Sequence, residues 1–193
     1  MASSSSSSWS TCDFVEVLNV EKRTVSVVLF EDVENASELR SKVMKNELPC
    51  AAALVDAAYV ASRRQIVSAT YQAVRRWQNT KGVLKANDLA KSRTLETEFV
   101  YSLSSATSVG EALRTVGLQD TTRQLLVVAF DADKLETLLS LVRGTRRPLS
   151  AIDILANDKR DALIANFNIK DQELNLVGGI HAAILSRLAA KDC

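Results

Sequence analysis

KSRTLETEFVYSLSSATSVGEALRTVG, Lys91 to Gly117, is the stretch around which the rest of the chain is organised. Phe99, Tyr101 and Leu103 alternate with Val100 and Ser102, β-formers at period two, and predict a strand. Thr107 or Ser108 as N-cap, Glu111 in the first turn and Gly117 just past the end predict a short helix. Val109, Ala112, Leu113 and Val116 fall at helical spacing and give that helix one face to pack. The apolar run Leu125–Phe130, LLVVAF, follows at once and reads as a strand buried on both faces. The whole is predicted to be a compact β-α-β unit.

Upstream, Phe14–Leu18 and Val25–Phe30 alternate as strands, with Asn19–Thr24 as the polar connection of a hairpin. Asn35 or Ser37 can cap a helix whose Leu39, Val43 and Met44 face inward, and Pro49 ends it. Ala51–Val55 reads as a short buried strand closed by Asp56. Tyr59 to Gln78 reads as one long helix with Tyr59, Ile66, Val67, Val74 and Trp77 on its apolar face. In such a helix Arg63 falls within the apolar stripe, so it must pair, snorkel to water or meet a partner's phosphate. Asn79–Lys91 is predicted to be a surface loop or a short, weak helix. With the Arg75–Arg76 pair, its Lys81 and Lys85, then Lys91 and Arg93, form the densest basic region before Arg143. That region is either a solvated face or a nucleic-acid contact.

Downstream, Asp133–Val142 is predicted helical with Leu135, Leu138, Leu139 and Val142 inward, stopped by Gly144. Asp153–Asn166 reads as a further helix, Ile169–Glu173 as a connection, and Leu174–Lys191 as the last helix. On that last helix Leu174, Leu176, Val177, Ile180, Ile184, Leu185 and Leu188 cover an arc of about 180°. Packing on one core needs about 100°. The surplus is either a wider core contact or a docking face for another protein. Taken together, these elements predict an α+β single domain over residues 13–193. Its core is a mixed sheet of about four to five strands flanked by helices. The serine-rich residues 1–12 precede it as a disordered tail, and no basic residue before Lys22 suggests a targeting peptide.

With 193 residues, 47% hydrophobic and 24% charged, the chain has globular composition, and its net charge of +1 gives no bulk attraction to nucleic acid or membrane. No apolar run approaches the roughly 18 residues needed to span a bilayer. Cys12, Cys50 and Cys193 are widely spaced, with no CxxC pair, so the expected setting is a reducing one, cytoplasmic and nuclear, with no metal and no cofactor. No phosphate loop, GxGxxG, GxSxG or HExxH is present. The single His181 lies in the apolar final helix, where a packed or capping role is the ordinary one. Glu96 and Glu98 share a face of the expected strand; they could hold a cation or do acid–base work, or pair with Lys91 or Arg93. Cys50 could act as a nucleophile only with a histidine in reach. The chain is therefore not expected to be an enzyme.

Several segments carry a resemblance. VSVVLFEDVENASELRSKVM (Val25–Met44), the Lys91–Leu118 stretch, LLVV, VRGTRRPLS (Val142–Ser150) and HAAILSRLAAKD (His181–Asp192) are similar, in order, to the PRPK-binding subunit of the KEOPS (EKC) complex. The most specific pieces are R-T-L-x-x-E at Arg93–Glu98 and R-x-x-x-K-D at Arg187–Asp192. The resemblance implies a small α+β protein without enzymatic activity. It also implies binding to the N-terminal lobe of the complex's small atypical kinase/ATPase, and through it association with the other subunits. The complex makes threonylcarbamoyladenosine next to the anticodon, and the resemblance implies help in recruiting tRNA through its 3′ acceptor end. Carried onto this chain, Ile184, Leu185 and Leu188 become the kinase-docking anchors, and Arg63, Arg64, Lys91 and Arg93 the tRNA contacts. A stand-alone RNA-binding domain is the alternative.

Overall fold

A computed structural model describes residues 15–20, 23–80, 90–131 and 133–191. The predicted serine-rich tail, most of the 79–91 connection with Lys81 and Lys85, and Asp192 lie outside the described residues. Strand β1 (Val15–Val20) pairs antiparallel with β2 (Arg23–Glu31), and the register runs up to Val20 opposite Arg23. Asn19 and Thr24 are themselves paired, so the hairpin connection is shorter than the six residues expected. β3 (Ala52–Asp56) and β4 (Leu125–Ala129) complete the order β1-β2-β4-β3. A short β5 (Thr145–Arg147) pairs with Leu29–Glu31 of β2, continuing the line of β1. Its three residues are too few and too polar to show as a strand by pattern.

The α+β class holds, with every strand pairing antiparallel where a mixed sheet was expected. The continuous apolar run of β4 reflects two covered faces, which an antiparallel sheet can also have when helices lie on both. On one face, Val27, Leu29, Leu126 and Val128 meet helices α2 (Arg63–Asn79) and α3 (Leu95–Leu103). On the other, Val28, Phe30, Leu125 and Val127 meet Leu39 of α1 (Ala36–Met44) and Leu138 of α5 (Leu135–Ser140). Alternate residues of one strand thus feed two cores.

The expected strand at Phe99–Leu103 is the largest correction. These residues form the second half of α3, so the organising stretch is α-α-β: α3, then α4 (Val109–Thr115), then β4. Thr94 caps α3 by accepting from the Thr97 N–H at 3.2 Å, with Glu96 and Glu98 in the first turn. All six residues from Glu98 to Leu103 are buried, because the helix lies against α2, α4 and β3 at once. A helix buried nearly all round shows no single apolar stripe, and Phe, Val and Tyr then imitate a strand. The second helix is as expected: Ser108 accepts from the Glu111 N–H, and Val116 and Gly117 close it.

Other boundaries move for local reasons. A 3₁₀ turn at Ala57–Tyr59 precedes α2, whose N-cap is Ser62, so Tyr59 is not on the helix and Arg63 is its first residue. Asn35 does not cap α1 with its side chain; it donates to the Leu141 carbonyl at 2.8 Å and accepts from the Arg143 N–H at 3.0 Å. Val43 and Met44, expected inward, are exposed, because α1 is only two and a half turns long and only Ala36 and Leu39 reach the core. The expected 153–166 helix is two, α6 (Ala151–Asp158) and α7 (Arg160–Asn166), broken at Lys159. A single turn α8 (Asp171–Leu174) precedes α9 (Gly179–Ala190), which starts where Gly178 and Gly179 take φ of +90° and +49°. Among the described residues no helix is long and apolar enough to cross a membrane.

Candidate functional site

Helix α9 shortens the apolar arc on which docking was predicted. Leu174, Leu176 and Val177 precede the helix, so they do not extend its stripe. Ile184 and Leu188 sit about 40° apart around α9 and are each 1% exposed, packed with Leu163, Phe167 and Ile180. They are core residues of this chain, and their expected place on an open face is corrected. Leu185, about 100° from Ile184, is half-buried at the rim. It lines a groove of about 550 Å³ together with Arg63, Arg64, Asp153, His181 and Ala182. Beside that groove in sequence stand Ile154 on α6, 66% exposed, and Val177, fully exposed. Ile154 escaped the sequence reading because it stands among Ile152, Leu155 and Ala156, which are buried, and nothing local marks it as the exposed one.

The closing motif turns inward. Arg187 donates from Nε to the Phe167 carbonyl at 3.2 Å and from its terminal nitrogen to Asn168 and Glu173. The Lys170 N–H, then Arg187, hold the Glu173 carboxyl below its ordinary value. The Lys191 ammonium lies 3.3 Å from the Tyr101 ring centroid and donates to the carbonyls of Tyr101 and Ser104 at the end of α3. Arg187 and Lys191 therefore fasten α9 to α7, α8 and α3.

R-T-L-x-x-E turns inward as well. Glu98 is fully buried, and its Oε2 accepts from the Lys91 N–H at 2.8 Å, the Ser92 N–H at 2.9 Å and the Ser92 hydroxyl at 2.9 Å. Arg76 approaches its other oxygen at 3.6 Å. Thr94 caps, Leu95 packs, and Glu98 anchors the turn that carries Lys91 and Arg93. Glu96 and Glu98 are about 200° apart on the helix, which removes the shared face on which a paired-carboxylate site depended. Cys50 is half-buried, and burial followed by Asp131 pushes its thiol above the ordinary value, opposite to an activated nucleophile.

The four expected RNA contacts separate into two places. Arg63 is ion-paired with Glu16 on β1, which answers its predicted need for a partner, and Arg64 beside it is exposed. Arg93 lines a second recess of about 370 Å³ with Arg23, Trp77, Glu96, Phe130 and Asp131. Trp77 lies fourteen positions beyond Arg63 on α2, about 21 Å along the axis. Lys91 is exposed next to that recess in sequence. Arg143, Arg146 and Arg147 each have a carboxylate partner, in Glu38, Glu136 and Glu31. Arg23, Arg64 and Arg93 form no ion pair among the described residues. Sequence reasoning missed Arg23, which β2 brings to Trp77 from fifty-four positions away.

Comparison with known proteins gives the family. Residues 30–192 match the family model described as kinase binding protein CGI-121. The chain is 33% identical over 108 residues to a Coccidioides immitis protein named EKC/KEOPS complex subunit CGI121, covering 56% of this chain and 48% of that protein. It is 29% identical over 173 residues to an Aspergillus fumigatus protein named EKC/KEOPS complex subunit cgi121, covering 81% and 87%. It is 28% identical over 174 residues to the Danio rerio EKC/KEOPS complex subunit TPRKB, covering 88% and 91%. With its family model matched from the second strand to the end of the last helix, the chain belongs to the kinase binding protein CGI-121 family.

Proposed function

We propose that the chain is a non-catalytic accessory subunit of an EKC/KEOPS complex that docks the complex's small atypical kinase/ATPase and helps recruit tRNA for threonylcarbamoyladenosine formation. The observation that carries the docking part is the open groove at Leu185, with Ile154 and Val177 exposed beside it. Aliphatic side chains left in water at one end of a folded domain favour a protein partner. Ile184 and Leu188 act behind this face by holding α9 in place. Co-purification with the kinase tests it: Leu185→Glu with Ile154→Glu should abolish the complex while circular dichroism stays unchanged. A folded double variant that still binds as tightly overturns this docking face.

The tRNA part rests on the recess of Trp77, Arg23 and Arg93, where one indole and two guanidinium groups suit an unpaired nucleotide and its phosphate. Arg64 and Lys91 supply further phosphate contacts at either end of α2. Titration of labelled tRNA at increasing salt tests this reading, with Arg93→Glu expected to weaken binding and lower the salt slope. Unchanged binding refutes it. Salt-sensitive tRNA binding with no kinase affinity at all would favour the stand-alone RNA-binding alternative. The working compartments under this proposal are the cytoplasm and nucleus, whose reducing conditions suit the free Cys50.

A further inference from the structure

A third depression lies between α1 and α4, at the β3 edge of the sheet. Its volume is about 320 Å³, its floor is Leu54 and Leu118, and its walls include Val43, Met44 and Leu113. Those three wall residues are 41%, 78% and 42% exposed, although each is large and apolar. They account for much of the exposed aliphatic surface outside the α9 end. The core cannot use them, because Leu39 already fills the inward face of α1 and Ala112 that of α4.

Two glycines in the wall behave differently. A Cβ on Gly117 would stand 2.3 Å from the Leu113 carbonyl oxygen, so this chain's own turn requires that glycine. A Cβ on Gly110 would meet nothing within 4 Å. Nothing in the chain's packing calls for a glycine there, and in a helix it costs stability relative to alanine. Its smooth surface leaves room for a backbone approaching from outside.

Among the described residues, the unpaired charge lining the groove is that of Arg114. Arg40 and Arg114 line it, and no carboxylate does. Arg40 is held by Asp120 at 2.8 Å, while Arg114 has no ion pair among the described residues. Glu111, one turn before Arg114, is the nearest acid on α4 itself. A cleft between two short helices, apolar at its base and cationic at its lip, matches one kind of occupant.

We propose that the α1–α4 groove docks an amphipathic helix of a partner protein, with an apolar stripe that seats against Met44, Leu113 and Leu118 and a carboxylate that meets Arg114. Close approach occurs over Gly110. The floor of the site, Leu54 and Leu118, belongs to the cluster on the sheet face opposite α2, and the site shares no lining residue with the Leu185 groove, so it does not rest on that docking reading.

The test uses the full chain and two designed helical peptides of about five turns, sharing one leucine stripe and flanked by glutamate in one and lysine in the other. Fluorescence anisotropy should show binding of the glutamate peptide, weakened by salt. Leu113→Glu and Gly110→Leu should each weaken it by about tenfold or more, with unchanged circular dichroism. Arg114→Glu should transfer preference to the lysine peptide, a reversal that mere loss of folding cannot produce. Leu185→Glu should leave the peptide affinity as it was. No binding, equal binding of the two peptides, or indifference to Leu113→Glu and Gly110→Leu overturns the proposal. So does sedimentation showing that the groove is filled by a second copy of the chain, with Leu113→Glu releasing the monomer.

Discussion

Leu185 and Leu188 lie one turn apart on α9 and should separate folding from docking. Leu188 is 1% exposed and packed in the cluster with Phe167 and Ile184; Leu185 is half-buried at the groove. Leu188→Ala removes buried methyl groups from a site walled by two other elements, and the walls can collapse only partly. The expected cost is about 2–5 kcal/mol. With a urea dependence of about 1–3 kcal/mol per molar for a domain of this size, the midpoint should fall by on the order of 1–2 M. Leu185→Ala leaves the cluster intact, so its cost should be about 1 kcal/mol or less. In the binding assay the order should invert: Leu185→Ala weakens kinase capture, and Leu188→Ala does so only in proportion to the fraction unfolded. Urea titrations followed by circular dichroism, with pull-downs well below both midpoints, read both quantities. Equal midpoint shifts for the two variants would refute the assignment of Leu188 to the core and Leu185 to the rim.

Glu98→Ala strands the N–H groups of Lys91 and Ser92 and removes the buried partner of Arg76, at an expected cost of about 3–5 kcal/mol. Hydrogen exchange at Lys91 and Ser92 should accelerate in Glu98→Gln well before global unfolding does, and unchanged protection would refute the anchoring role. Glu173 has a depressed folded pKa, so its contribution is full above the ordinary carboxylate range and is lost as pH falls through the lowered value. Glu173→Gln should therefore flatten the acid limb of the stability profile, measured by thermal melts from neutral to acid pH, with little effect near neutrality beyond the lost ion pair. Cys50 has a raised thiol pKa, so at neutral pH its alkylation by iodoacetamide should be slower than that of free cysteine and should climb at higher pH.

Much of the sheet was legible because its signals are local. Val25–Phe30 and LLVVAF are runs of β-branched and aliphatic residues bounded by polar ones, and both are strands. The helix at Val109–Thr115 was legible from Ser108 and Glu111, whose capping chemistry acts within one turn. Phe99–Leu103 failed for the converse reason. Its helix is specified by three packing neighbours, two of them, α2 and β3, distant in sequence, while its residues alone prefer a strand. The T-L-E-T-E opening, a capping threonine with acids in the first turn, was the local signal that outweighs it. At the candidate site, Leu185 lines an open groove, whereas Ile184 and Leu188, expected on an open face, are buried. Exposure depends on what α7 places opposite α9, and no pattern within α9 records that.

The two motifs on which the resemblance most rests are spent on scaffolding. Thr94, Leu95 and Glu98 build the α3 end, while Arg187 and Lys191 tie α9 down. Arg93, the member of R-T-L-x-x-E that points outward, stands beside Trp77. A motif that fixes backbones has value only if something must be held at a set place. Helix α2 supplies that place. Ser62 caps its start, Ala69 and Ala73 allow close packing on its buried side, and its 17 residues span about 25 Å. The Leu185 groove opens at its first turn and the Trp77 recess at its last. Under the proposed function, the kinase is therefore gripped at the first turn of one rigid strut and the unpaired nucleotide at the last, with Arg64 meeting RNA phosphate beside the kinase. Glu98 and Lys191 brace it from the same flank, through Arg76 in α2 and through the adjoining α3. Fixing the distance between two bound partners is a contribution a subunit can make without a catalytic group, because it converts a second encounter into an intramolecular one.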